Sequence, residues 1–419
     1  MVDRPLTRRL GSRLAALSAA GRIALLYAAA RVVTTLCALA SAALAPANGR
    51  HGPDPSLLDY IVGWDGAWYR EIALNGYPAT LPVDDAGVVQ QNAWAFLPVF
   101  PSLARALAAL VPGAGWGSED VWAVADAWAV AAALVALVAG YAACLGLYHL
   151  FAPAVGSTRA TWGVAFVAAG PLGFLFQVAY AESLFLALIV WALVALRAGR
   201  WGPLYVLVPA AAFTRPGELA LALTLGAYGV WRFAIRRRRR LRAAEVGHTL
   251  ALGAIGTAAG FAWPLVAALA TGSGSAYFDT ELAWRRGWVG AEASGFVPGE
   301  GWAQAAPIWA GLWGVPAWLL LGLAIAVAAA TAIALFLPPA RALGPEARLW
   351  CASYALYLVL VLFPQSSVIR LLLPLAPLAV LPAALPRAGR VAALCAGLAA
   401  QFWWIHAMYG WGNTFYLVP

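Results

Sequence analysis

The chain has 419 residues, of which 63% are hydrophobic and 11% charged, with a mean hydropathy of +0.77. Apolar runs of membrane-spanning length, separated by short Arg or Pro/Gly punctuation, exclude a soluble fold. The net charge of +9 is carried by arginine alone, because no lysine occurs, and it bears on membrane topology rather than on a nucleic-acid partner.

At the start, Arg4, Arg8, Arg9, Arg13 and Arg22 accompany Leu6, Leu10, Leu14 and Leu17, which share one helical face. Residues 1–22 therefore read as a cytoplasmic amphipathic N-terminus lying on anionic lipid. The apolar run from Ile23 to Ala45 is long enough to span, and Pro46 follows the Ala-x-Ala of "ASAALA". It is predicted to be a retained first helix, not a cleaved signal.

The arginine cluster "RFAIRRRRRLRAAE" anchors the topology, because clustered arginine in a short loop stays on the cytoplasmic side. From that anchor, spans are predicted near 23–45, 121–149, 160–177, 183–197, 201–214, 217–233, 247–271, 308–336, 347–363, 371–385 and 391–409, about eleven helices. Arg159, Arg197, Arg200, Arg341, Arg348, Arg387 and Arg390 then fall in cytoplasmic turns, as the positive-inside rule asks. The expected fold is an all-α polytopic membrane protein. Its parts would be a core over 23–271, two long outer loops at 46–120 and 272–306, and C-terminal helices over 307–419. The stretch "AFLPVFPSLARALAALV" reads as interfacial or re-entrant, because counting it as a crossing would move Arg159 outside.

Both outer loops are rich in tryptophan: Trp64, Trp68, Trp94, Trp116, Trp284, Trp288 and Trp302. An aromatic belt should decorate both interfaces, so enrichment on one side favours stacking on sugar or lipid. Cys37, Cys144, Cys351 and Cys395 lie in apolar runs with no Cys-x-x-Cys pair, and the four histidines lack ligand spacing. They read as buried inert thiols; no metal site and no cofactor is indicated. Asp84 and Asp85 in "VDDAG" read first as a turn.

The stretch "GWDGAWYREIALNGYP" concentrates charge among aromatics in the first outer loop. Read as a helix, it puts Trp64, Trp68 and Ile72 on one stripe with Tyr69 beside it, a helix that would float at the interface. Asp65 would open that helix as its N-cap.

The same stretch resembles the Trp-Asp-x-x-x-Tyr-x-x-Ile-Ala-x-x-Gly-Tyr signature of PIG-V-type mannosyltransferases and their bacterial relatives, matched by Trp64, Asp65, Tyr69, Ile72, Ala73, Gly76 and Tyr77. "AFLPVFPSLARAL", "AYAESLFLALIVWAL", "FTRPGELALAL" and "RLLLPLAPLAVLP" are similar to later stretches of that family, in the same order. The resemblance implies a GT-C glycosyltransferase that takes a sugar from a polyprenyl-phosphate carrier at the outer face of the plasma membrane. It further implies a glycan or glycolipid acceptor, with Asp65 as the residue that acts on the acceptor, expected here as its catalytic base.

Such a transfer needs a base for the acceptor hydroxyl and cations for the departing phosphate. A single displacement would invert the anomeric centre. Outer-side arginines run against the topology rule and so call for another reason. Arg215 in "FTRPG", Arg370 in "SSVIRLLLP", and Arg285 with Arg286 in "AWRRGW" are the candidates for the carrier phosphate. Glu182 in "VAYAESLF" would orient an arginine or the acceptor, while Trp68 and Tyr69 would line the substrate site. Asp126 and Arg31 could be structural partners or snorkel to headgroups. A transporter or flippase for lipid-linked sugars is the alternative. It should show repeated halves and polar stripes through the spans, and neither is seen. A non-catalytic lipid-binding scaffold is a third option, opposed only by the motif.

Overall fold

The computed structural model describes residues 17–111, 121–290, 295–413 and 416–419. Residues 1–16 of the expected amphipathic N-terminus, and Trp116, lie outside the described residues. The chain is an all-α membrane protein, whose described elements run in order as follows. α1 (Ala19–Ala43) leads into a first long connection containing α2 (Leu57–Ile61), α3 (Asp65–Asn75), a 3-10 turn (Ala93–Ala95) and α4 (Val99–Ala108). Then come α5 (Val121–Val155), α6 (Ser157–Ala168), α7 (Glu182–Arg197), α8 (Trp201–Ala212), α9 (Leu219–Ala234) and α10 (Ala243–Thr271). A second long connection carries α11 (Ala276–Val289) and α12 (Glu300–Trp313). The remainder comprises α13 (Ala317–Ala334), α14 (Pro338–Ala342), α15 (Pro345–Val361), α16 (Val368–Leu371), a 3-10 segment (Leu373–Ala379), α17 (Val380–Ala383) and α18 (Arg387–Ile405), which ends in a π-helical turn (His406–Trp411).

Among the described residues, five helices are long and apolar enough to cross a membrane: Ala19–Ala43, Ala123–Val155, Ala243–Thr271, Ala317–Ala334 and Arg387–Trp411. The predicted spans at 183–197, 217–233, 247–271, 347–363 and 391–409 correspond to helices with nearby bounds. Three others are not regular helices. The 160–177 span stops at Ala168, where Gly170 and Pro171 intervene before a 3-10 turn at Gly173–Phe176. The 371–385 span is a 3-10 segment between short α turns, because Pro374, Pro377 and Pro382 each remove a backbone donor. The 308–336 span is two helices, α12 and α13, broken where Gly314 takes a left-handed φ of 65° and Pro316 caps the next helix. The second connection thus runs past 306, to the end of α12. Among the described residues of the 95–112 stretch the α-helix is α4, whose ten residues rise about 15 Å, half of a hydrocarbon core.

α5 is the hub, packed on α7, α6, α4 and α1. α7 is apolar almost all round, and Phe185, Leu186, Ile189, Val190 and Leu193 on it are fully buried, which is what an interior helix requires. Arg31 does not snorkel. It is buried on α1, donates to the carbonyls of Ala168 and Gly173 and to Gln177, and so satisfies the frayed end of α6. Asp126 is exposed, and Asp84 accepts from the amides of Ala86 and Val88 as the turn reading predicts. Cys144 and Cys351 are buried as expected, but Cys37 on α1 is half-buried and Cys395 on α18 is exposed.

Candidate active site

The site begins with a strained residue. Trp64 has φ 55° and ψ −118°, a left-handed conformation that costs a non-glycine residue about 1–3 kcal/mol. Three contacts hold it there. Its indole N–H donates to the Met408 carbonyl at 2.9 Å, the Arg50 guanidinium lies 3.6 Å above its ring, and its own carbonyl accepts from the Ala67 amide at 3.0 Å. Trp64 is therefore the N-cap of α3, and Asp65 is the first helical residue, with no side-chain capping bond. This corrects the expected N-cap role, and it leaves the Asp65 carboxylate free to turn inward.

It turns onto Arg370. Arg370 Nη1 donates to Asp65 Oδ2 and, at 3.1 Å, to Glu182 Oε1. Glu182 Oε1 also meets Arg215 Nη1 at 3.0 Å. Acid and guanidinium alternate in the order Asp65, Arg370, Glu182, Arg215, with side-chain exposures of 22%, 11%, 2% and 11%. Burial weighs against the Arg370 cation, but Asp65 and Glu182 outweigh it and hold the guanidinium above its usual value. Arg370 Nε is buried without an acceptor among the described residues, and the Tyr180 ring lies 5.2 Å beneath the guanidinium.

Four separate elements deliver these groups. Glu182 opens α7, and Asp65 opens α3. Arg370 sits on the single-turn α16, ahead of the proline-broken 3-10 segment. Arg215 lies in the reversal between α8 and α9, where Gly217 adopts φ +117°, and a Cβ there would come within 3.1 Å of Tyr354. Two residues before Arg215, Phe213 borders an apolar groove of about 440 Å³ between α4 and the end of α8, lined also by Pro98, Val99, Ser102, Pro209 and Ala210.

The other predicted residues lie elsewhere. The buried face of α3 is Gly66, Tyr69, Ile72 and Ala73, against α4 and α5, so the helix does not float on a Trp64–Trp68–Ile72 stripe. Tyr69 is buried between Phe96 and Phe100, close enough to Asp65 and Glu182 to sense both, and burial pushes its phenol well above the ordinary value. Trp68 stacks on Phe96 at 5.8 Å and meets Trp284 edge-on at 5.7 Å, while Trp94 packs against Tyr77 and Trp263. These rings serve largely as cores of the two connections. Arg285 pairs with Glu300 at 3.6 Å and covers the Phe363 ring. Arg286 bonds the Val89 carbonyl at 3.1 Å and Asp279 at 3.4 Å. Both thus tie α11 to its neighbours, whereas Arg215 and Arg370 meet the carboxylates.

Sequence reasoning passed over Arg50, Tyr180 and Glu281. The rule that singled out arginines on the outer side applies equally to Arg50 in "NGRHGP". Glu281 stands four residues after Tyr277, a spacing that stacks the two on one face of α11.

Comparison with protein-family models and with curated proteins returns no match. Among solved structures the chain is similar to the Archaeoglobus fulgidus oligosaccharyltransferase solved with zinc and sulfate, at 14% identity and TM-score 0.45, over 92% of this chain and 53% of that one. It is also similar to the same organism's oligosaccharyltransferase solved with an inhibitory peptide and a dolichol-phosphate, at 14% identity and TM-score 0.40, over 93% of this chain and 56% of that one. The chain thus spans about half the length of these proteins.

Proposed function

We propose that this protein is an integral-membrane glycosyltransferase of the GT-C type. It moves a sugar, mannose by the PIG-V-type resemblance, from a polyprenyl-phosphate carrier to a lipid-linked or surface glycan on the outer face of the plasma membrane, with the N-terminus inside. The observation that carries this reading is the buried alternation of Asp65, Arg370, Glu182 and Arg215. A buried charge is costly unless paired, so four of them joined from four elements call for a task beyond packing. Guanidiniums fork onto phosphate oxygens, and Arg370 keeps Nε unused for one. The apolar groove ending at Phe213 suits the first isoprene units of the carrier, with its phosphate at Arg215.

In this reading, arriving phosphate competes with Asp65 and Glu182 for the two guanidiniums. The acceptor hydroxyl gives its proton to Asp65, which the motif's resemblance assigns to the acceptor side. The acceptor oxygen displaces the phosphate in one step and inverts the anomeric centre, while Arg215 and Arg370 stabilise the charge left on the carrier.

The test offers purified, lipid-reconstituted protein several radiolabelled polyprenyl-phosphate sugars with an octyl mannoside acceptor. Covalent label on the acceptor is expected from one carrier, with loss of roughly 10²- to 10⁴-fold in Asp65→Asn and with folding intact. Label that crosses the bilayer still bound to its carrier, without transfer, would instead indicate a flippase.

A further inference from the structure

We propose that Tyr180, in the connection between the 3-10 turn Gly173–Phe176 and α7, is a further binding residue of this site: its phenol hydroxyl donates to the carrier phosphate beside Arg370 Nε. The inference rests on the glycosyl-transfer reading and adds a neutral donor to the two guanidiniums.

The starting observation is a hydroxyl with nothing to bond. Tyr180 is fully buried, and its hydroxyl has no hydrogen-bond partner among the described residues. Leaving a buried donor unpaired is unfavourable, and native interiors seldom do it. Other buried tyrosines of the same core comply: Tyr27 donates to the Leu137 carbonyl at 2.9 Å, Tyr60 meets the Ser41 hydroxyl at 3.1 Å, and Tyr354 donates to the Leu371 carbonyl at 3.0 Å. The ring alone does not explain the residue, because Phe174 and Phe176, just ahead of it, are buried in that core with no hydroxyl at all. Tyr409 on the π-helical turn is the other buried phenol without a partner among the described residues; it lies close to Tyr180, but neither hydroxyl reaches hydrogen-bond geometry.

Position puts the Tyr180 side chain at the anion site. The Arg370 guanidinium lies 5.2 Å from the centre of its ring, within cation–π range. Arg370 Nη1 is taken by Asp65 and Glu182, whereas Nε is buried and unpaired like the phenol. Two neighbouring side chains thus hold unfilled donors where the bundle gathers four charges. Backbone contacts fix the tyrosine from both sides. The Ala179 amide donates to the Ile61 carbonyl at the end of α2, at 2.9 Å, and Ala179 packs on Gly66, the residue after Asp65, where an added Cβ would lie 3.4 Å from that of Ala179. On the other side Glu182 opens α7, and the Ser183 hydroxyl donates to the Leu175 carbonyl at 2.7 Å. Tyr180 therefore stands between the segments that deliver Asp65 and Glu182.

The chemistry of these groups selects the ligand. A phosphate brings several acceptor oxygens and a negative charge, so it can fill both donors and replace Asp65 as a counter-charge to Arg370. A neutral sugar hydroxyl supplies no such charge. Asp65, at 22% side-chain exposure the most accessible of the four charged groups, is the one an arriving phosphate displaces first. One phosphate oxygen then accepts from Arg370 Nε and another from the Tyr180 hydroxyl, which keeps its proton.

The experiment uses the full-length protein in liposomes and measures equilibrium binding of polyprenyl phosphate and of the uncharged polyprenol of the same chain length, with Tm alongside. Tyr180→Phe should bind polyprenyl phosphate roughly ten- to a hundredfold more weakly, the usual worth of a hydrogen bond to a charged group, and should bind polyprenol as wild type does. Because the hydroxyl is unpaired in the free protein, Tyr180→Phe should keep or raise Tm, whereas Tyr354→Phe, which deletes the donor to the Leu371 carbonyl, should lower it. A merely structural tyrosine would show the reverse, a lowered Tm with phosphate binding intact. Unchanged phosphate binding in Tyr180→Phe, an equal loss for phosphate and polyprenol, or a fall in Tm matching that of Tyr354→Phe would each overturn the assignment while leaving glycosyl transfer standing. A wild type that neither prefers polyprenyl phosphate to polyprenol nor transfers label from any carrier would remove the glycosyltransferase reading itself, and the inference with it.

Discussion

The two ends of the helix bundle handle arginine in opposite ways. At one end Arg215 and Arg370 are buried and share the Glu182 carboxylate, and Arg370 also holds Asp65. At the other end of α9, the run from Arg236 to Arg240 lies in an exposed turn. The cations nearby are paired singly, the buried Arg232 with Glu245 and the half-buried Arg197, more loosely, with Glu346 at 3.9 Å. The exposed turn needs no protein partner, because water and headgroups supply it, and its positive charge is what topology demands. The shared network has no such excuse. Two guanidiniums and two acids, brought together from four elements, fit the anion site proposed above, and the contrast between the ends is what singles it out.

That contrast can be broken most sharply at Arg370. Arg370→Ala leaves Asp65 and Glu182 with one buried cation between them. Its unfolding free energy should fall by about 3–5 kcal/mol, whereas Arg238→Ala in the exposed turn should stay within about 0.5 kcal/mol, both read by denaturation in detergent. Equal losses at the two positions would erase the distinction. The apolar groove comes next in expected effect. Ala210→Trp fills the space that Pro98, Ser102 and Phe213 border, and should raise KM for a long-chain carrier about tenfold, with little change for a carrier cut to a single isoprene unit. An equal effect on both carriers would place the prenyl chain elsewhere.

The smallest effect concerns Glu281 and the dependence of stability on pH. Its carboxyl lies near 7 in the folded protein and near an ordinary carboxylate value of about 4.3 when unfolded, so the folded state holds more protons between these limits. The stability this group contributes is complete below the unfolded value and is lost as pH rises through the folded one. Wild type should therefore lose Tm relative to Glu281→Gln between pH 5 and pH 8. A constant difference across that range would show that the carboxyl titrates normally.

Much of the fold was legible along the chain, because lipid punishes charge and unpaired backbone so heavily that long apolar runs have few alternatives. α1, α5, α10 and α18 follow from hydropathy and arginine punctuation. The spans that failed did so at prolines and glycines, Pro171, Gly314 with Pro316, and Pro374 with Pro377, where local backbone chemistry overrides a hydropathy average. Within the site, Asp65, Glu182, Arg215 and Arg370 stood out as charges in costly positions, each visible alone.

What the sequence determined by itself was thus an all-helical membrane chain and a short list of charges that apolar surroundings do not tolerate without cause. Which of those charges meet was decided only by the tertiary structure. Asp65 and Arg370 are separated by 305 positions and joined by one hydrogen bond, and the Arg285 and Arg286 pair, equally promising by composition, is spent on Glu300, Asp279 and a carbonyl. Burial cost depends on the residue and its depth, which hydropathy records. Pairing depends on distances across the bundle, which are fixed by how the helices pack against one another.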